Sequence, residues 1–191
     1  LLRHTGSRRL ETERLVLRKF EYSDVDCVLK YWAGDPGVQA MYGEPVYATE
    51  SEVNGLLDKY IAAYSKDDCY RWAVILKETG ECIGQIAYFL VDSRNEFAEI
   101  EYCIGSPFQR KGLATEATMA VIDFGFSAVN LHKVQISHKS INLASKRVIE
   151  KCGFKYEGTL RDYFYTDGKY IDRLFYSILR DEWESIKARA E

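Results

Sequence analysis

The sequence predicts a single α+β (mixed α/β) domain whose sheet is mostly antiparallel through the middle. Three observations carry that prediction. A chain of 191 residues is long enough for one well-cored domain and short for two. Apolar residues recur with period two in some segments and near 3.6 in others. The two kinds of segment follow one another without a linker, repeat or low-complexity tract.

Taken in order, ERLVLRKF (13–20) reads as the first strand. Ser23 is an N-cap residue, with Asp24 and Asp26 in the first turn and Val25, Val28, Leu29 and Trp32 at helical spacing. Glycine and proline mark 33–45 as loop or broken helix. Thr49-Glu50-Ser51-Glu52 has the form of a capping box, opening a helix with Val53, Leu56, Leu57, Tyr60, Ile61 and Tyr64 on one face. RWAVILK (71–77), the turn ETGE and CIGQIAYFLV (82–91) form a hairpin, and FAEIEYCI (97–104) a further strand. Leu113, Ala117, Ala120, Val121, Phe124 and Ala128 make a helical stripe over 113–128. A strand (KVQISH, 133–138), a short helix over 143–152 and a C-terminal hairpin turning at Asp167-Gly168 complete about seven strands and about four helices.

Composition excludes several classes. A net charge of −3 argues against nucleic acid as the main partner. No apolar run approaches the roughly 20 residues of a membrane span, and no signal-peptide core opens the chain. Five scattered cysteines without C-x-x-C and three dispersed histidines make a metal site improbable and fit free thiols in a reducing cytoplasm. Residues 1–10 are expected to be an extension or an artificial leader outside the fold, with 11–191 the domain.

The informative stretch is SPFQRKGLATEA (106–117). A strand feeding a glycine loop and then a helix exposes unpaired N–H groups at the helix start, an anion site for which phosphate is the commonest occupant. Gly112 permits positive φ, Ala114 and Thr115 keep bulk away, and Arg110 and Lys111 add charge. Such a loop is also an ordinary solvated turn when it stands alone. The Walker and dinucleotide glycine patterns are both absent.

Gln109-Arg110-Lys111-Gly112-Leu113-Ala114 resembles the Q/R-x-x-G-x-G/A signature of the GNAT N-acetyltransferase superfamily. Asn142-Leu143-Ala144-Ser145, followed by Glu150-Lys151-Cys152-Gly153-Phe154, resembles the second signature, N-x-x-S/A and a helix ending in G-F. Thr115-Glu116-Ala117, Glu157-Gly158, Asp167-Gly168 and Asp172 look most like the RimJ/RimL branch, and the likeness runs from about 11 to 185. It implies a GNAT-like fold with a splayed, twisted sheet, and acetyl-CoA as co-substrate. The pyrophosphate would lie on main-chain amides of Gln109, Arg110, Lys111, Gly112, Leu113, Ala114 and Thr115, and Asn142 and Ser145 would meet the pantetheine arm and the sulfur. Strand amides around Cys103, Ile104 and Gly105 would polarise the thioester carbonyl, with a bulge or splay where Gly105 and Pro107 interrupt pairing.

Period-two alternation puts Phe97, Glu99, Glu101 and Cys103 on one strand face. Two carboxylates roughly 7 Å apart repel, which favours one as proton acceptor. They are also what an ordinary solvated face carries. The resemblance implies a strand glutamate as general base, and Glu99 and Glu101 rank about equally. Ser145 is the implied donor to the departing thiolate, and Asn142 is equally a helix N-cap. Tyr163 and Tyr165 are candidates to line the acceptor cleft or simply to pack. Asp162 is the one acid in 158–165, where some relatives carry an acidic residue. Nothing beside Cys103 would activate it for an acyl-cysteine route.

The expected activity is acetyl transfer to a primary amine, a protein N-terminal α-amine first, by direct transfer in a ternary complex. An α-amine has a pKa near 8, whereas lysine or a polyamine near 10.4 costs about 4–5 kcal/mol to deprotonate at pH 7. A small-amine acetyltransferase, a non-catalytic acyl-CoA binder and a generic nucleotide-binding protein are the competing readings. No nucleic acid, membrane or metal is expected as partner, and a homodimer is the assembly the resemblance suggests.

Overall fold

A computed structural model describes residues 1–190. The strands are β1 (Leu10–Glu11), β2 (Leu15–Arg18), β3 (Tyr70–Leu76), β4 (Cys82–Asp92), β5 (Phe97–Ile104), β6 (Lys133–Lys139), β7 (Lys155–Thr166) and β8 (Lys169–Leu179). They form one sheet in the order β1-β2-β3-β4-β5-β6-β8-β7. Among the described residues every neighbouring pair is antiparallel except β5–β6. That parallel pair holds only from Phe97↔Lys133 to Ile100↔Ile136. Past Ile100 the strands separate, so the splay begins well before the Gly105–Pro107 interruption.

Helices cover both faces. On one side lie α1 (Val25–Val28), running into a wide turn at Leu29–Ala33, then α2 (Pro36–Tyr42) and α3 (Glu50–Ala63). Phe20, Trp32, Val53 and Leu57 pack there against Ala73, Ile75 and Cys103. On the other lie α4 (Leu113–Phe124), α5 (Leu143–Lys151) and α6 (Arg180–Ala190). Val121, Ile122 and Phe124 meet Trp72, Ile86, Ile100 and Ile136 in the larger core. A fully buried Leu or Val contributes roughly 2 kcal/mol here, so these faces hold the helices that shape the site.

Several expectations are corrected. Ser23 is not the N-cap: the turn starts at Tyr22, with the Asp24 carboxylate accepting the Glu21 N–H at 2.9 Å and the Arg18 guanidinium at 2.7 Å. Arg18 draws Asp24 inward and moves the helix start upstream. The 33–45 segment is broken helix as read, its one short helix started by Asp35, which accepts from the Gly37 and Val38 N–H groups, with Pro36 at the first position. The chain also ends in a helix after the hairpin; only Trp183 and Ile186 face inward from α6, too short a stripe to read as a period. Residues 1–10, expected outside the fold, are packed on it. Arg3 N–H donates to the Val129 carbonyl, the Trp72 indole to the Arg8 carbonyl, and Leu10 pairs with Leu17. The Thr49–Glu52 capping box forms as read.

Candidate active site

Where β5 and β6 part, a cleft of about 1160 Å³ opens through the sheet, bounded by α2, the N-termini of α4 and α5, and the β7–β8 hairpin. Its two mouths differ. Even positions of β5 and β6 (Ile100, Tyr102, Ile136, His138) face α4 and α5, while odd positions (Glu101, Cys103, Ser137, Lys139) face α2.

The glycine loop lies at the first mouth. Gly112 caps α4 at φ 77°, a left-handed conformation that suits glycine, and Arg110 is also left-handed at φ 61°. A Cβ on Gly112 would come within 3.3 Å of an Arg14 guanidinium nitrogen. Arg14 braces the loop: its Nη1 donates to the Lys111 carbonyl (2.8 Å) and its Nε to Glu116 (2.7 Å), which also accepts from the Arg14 N–H and the Thr12 hydroxyl. Burial acts to raise the Glu116 carboxyl, yet the Thr12 and Arg14 donors outweigh it and hold it below its ordinary value. Gln109, Arg110, Gly112, Leu113, Ala114 and Thr115 line the cleft. The Lys111 side chain instead reaches over the Phe108 ring, 5.8 Å from its centre.

Strand β5 supplies main-chain groups. Gly105 N–H donates to the Ile83 carbonyl at 2.8 Å, so alternation puts Cys103 on that side of the strand. Tyr102 and Ile104 therefore turn their amides toward the gap that β6 has left. The Gln109 side chain holds this end by donating to the Ile104 carbonyl at 2.8 Å.

Asn142 caps α5, accepting the Ser145 N–H at 3.1 Å. The capping reading therefore holds, and it leaves the Ser145 hydroxyl free to lie 3.1 Å from the Tyr102 hydroxyl, which donates to it. Burial keeps the Tyr102 phenol well above its ordinary range, so it stays protonated. Sequence reading did not single out Tyr102, because its contact with Ser145 joins β5 to the start of a helix some forty residues away.

At the other mouth the paired carboxylates expected from the sequence are two separate ion pairs. Glu99, 4% exposed, accepts from Arg173 (2.7 Å), Gln135 (2.9 Å) and Ser137 (3.2 Å), and it does not line the cleft. Glu101 does line it, with Oε1 held by Arg71 at 2.7 Å and no hydrogen bond to Oε2 among the described residues. Arg71 also donates to Gln85 and stacks on the Tyr60 ring. Tyr163 lines the cleft under Arg173, and Tyr165 lines a smaller recess alongside. Asp162 lies outside both; its N–H donates to Asp172. Cys103 lines the cleft too, but burial pushes its thiol up to about 12, which removes the thiolate an acyl-cysteine route needs. Arg71, Arg173 and Lys139 escaped sequence reading because each is brought in by pairing between distant strands.

The geometry fits coenzyme A: a glycine whose missing Cβ leaves room at a helix N-terminus, free strand amides, and two hydroxyls beyond them. A family model described as an acetyltransferase (GNAT) domain matches residues 14–155. The chain belongs to the GNAT acetyltransferase family. An N-acetyltransferase of Bacillus licheniformis named p20, itself uncharacterized, is 33% identical over 91% of this chain and 97% of its own length. Relatives with narrower names diverge. A putative ribosomal N-acetyltransferase of Bacillus subtilis is 37% identical over 56% of this chain and 59% of its own. The spermidine N(1)-acetyltransferase of Escherichia coli is 26% identical over 82% and 76%. A GNAT-family acetyltransferase structure from Bacillus anthracis superposes with a TM-score of 0.80 at 28% identity, covering 91% of this chain and 99% of that one. This GNAT protein is thus an N-acetyltransferase, of a family that draws its acetyl group from acetyl-CoA.

Proposed function

We propose that the enzyme acetylates protein N-terminal α-amines, with acceptor and acetyl-CoA bound together and the acetyl group passing directly between them. When bound, acetyl-CoA supplies the acetyl group as an activated thioester. The loop amides around Gly112 would hold its pyrophosphate, and Asn142 and the strand amides of Tyr102 and Ile104 its pantetheine arm and carbonyl. Glu101 Oε2, open to the cleft, takes the amine proton directly or through water. Ser145, hydrogen-bonded to the protonated Tyr102, supplies a proton to the sulfur. Glu99 holds Arg173, and through it the Tyr163 wall of the cleft.

The observation that carries the α-amine reading is the state of the carboxylates. A polyamine is gripped by anions with charge to spare, whereas Glu99 and Glu101 each already face an arginine. A single glutamate so balanced suits an amine that is partly neutral at pH 7. The competing small-amine reading is favoured by the name of the Escherichia coli relative and by Glu44, an exposed carboxylate on the recess beside the cleft. Coenzyme A release across a panel of peptides and small amines separates them. Turnover confined to peptides with free N-termini supports the proposal, and turnover confined to spermidine or other small amines contradicts it.

A further inference from the structure

Among the described residues, Lys139 is the one cation at the acceptor mouth without an ion-pair partner. It is 7% exposed, yet it forms no ion pair among the described residues, while Arg71 and Arg173 beside it are each paired to a glutamate. Its ammonium donates one hydrogen bond, to the Ala40 carbonyl of α2 at 2.8 Å, and lies 5.0 Å from the centre of the Phe164 ring. An ammonium has three donors, so those contacts leave hydrogen-bonding capacity unspent. Taking such a charge out of water without a counter-ion is costly. Burial accordingly lowers its pKa, with the Asp167 charge opposing. Lys139 lines both the main cleft and the recess next to it, so the unspent donors adjoin space a ligand can enter. The carboxylate on that recess, Glu44, is exposed and is not within ion-pair reach.

We propose that Lys139 is a specificity-determining residue that binds a carboxylate carried by the acceptor, so that the preferred substrates are peptides with an acidic residue at or next to the N-terminus. This rests on the transferase reading of the cleft. The register supports a carboxylate set apart from the amine. Glu99 pairs with Gln135, so Lys139 stands two residues, roughly 7 Å, further along its strand than Glu101 does along its own. A side-chain carboxylate spans such an offset better than the α-carboxylate of a free amino acid. The Phe164 ring, 5.0 Å from the ammonium, would shield one side of the ion pair.

The test compares peptides beginning with Glu and Gln, and with Asp and Asn, alongside free glutamate and spermidine. Wild-type protein, Lys139→Arg, Lys139→Met and Lys139→Glu are assayed for kcat/KM and for acetyl-CoA affinity. Wild type is expected to favour each acidic peptide over its amide by about tenfold or more, as a charge-assisted contact allows. Lys139→Arg keeps that ratio, Lys139→Met brings it near one, and Lys139→Glu inverts it, with acetyl-CoA affinity unchanged throughout. A wild-type ratio near one, or a ratio that survives Lys139→Met, overturns the proposal. Free glutamate outperforming the peptides keeps the carboxylate site and overturns the peptide as its source. Should no acceptor turn over while acetyl-CoA binds, the transferase reading fails by itself. The Lys139 site is then decided by calorimetry of N-acetyl-Glu against N-acetyl-Gln peptides on the coenzyme A complex, where equal affinity overturns it.

Discussion

The Tyr102 hydroxyl lies 3.1 Å from the Ser145 hydroxyl, joining the middle of β5 to the first turn of α5 across the floor of the cleft. With its phenol protonated, Tyr102 donates, and Ser145 is left to donate onward. A thiol of pKa near 8.5 is a good leaving group, so the acid's share is modest. Ser145→Ala and Tyr102→Phe are each expected to lower kcat by about 10- to 100-fold, at or just below the lower end of the usual effect of a positioned proton donor. Acetyl-CoA affinity should stay within about threefold, since neither hydroxyl meets the pyrophosphate. Steady-state kinetics with calorimetry checks both, and wild-type kcat in either variant contradicts the relay.

Arg71 and Glu101 make the second prediction. Glu101→Gln should lower kcat/KM by about 10-fold or more if this carboxylate takes the proton. Arg71→Met leaves Glu101 and Gln85 without their donor. Breaking a buried pair costs about 3–5 kcal/mol; partial exposure of both side chains reduces the expectation to about 2 kcal/mol. The double variant should recover part of that loss, and denaturant titration of the four proteins measures the coupling.

Glu116 sets an acid dependence. Its folded pKa lies below the unfolded value, ordinarily 4.5. The stability it contributes is therefore complete above that value and lost as pH falls through the folded one. Glu116→Gln should be less stable than wild type by about 1 kcal/mol at pH 7, with the two curves converging as pH falls through the lowered folded-state value. A deficit that persists unchanged into acid would show that the carboxylate charge is not the cause.

Local chemistry made much of the molecule legible in the sequence. The Thr49 box, the Asp167-Gly168 turn, the 3.6-period stripe of α4 and the Gly112 loop are each set by residues within a few positions of one another. What stayed hidden depends on register between distant segments. Arg71 on β3 and Arg173 on β8 meet Glu101 and Glu99 only once the sheet order is known, so the carboxylates looked like an isolated pair. Arg14, which braces the loop, sits in the bend just before β2, far from the loop in sequence. The parallel β5–β6 ladder, short enough to open the cleft, carries no local mark at Ile100 or Ile136.

The central claim is that the amides around Gly112 hold the coenzyme's pyrophosphate. Calorimetric titration of acetyl-CoA into wild type, Gly112→Ala and Gly112→Glu tests it most directly. At φ 77° an alanine costs about 1 kcal/mol in strain, so Gly112→Ala should still bind, more weakly. Gly112→Glu puts a carboxylate where the diphosphate belongs and should lose about 100-fold or more in affinity while its thermal unfolding stays cooperative. Binding by Gly112→Glu as tight as wild type, or no heat from wild type itself, would contradict the account.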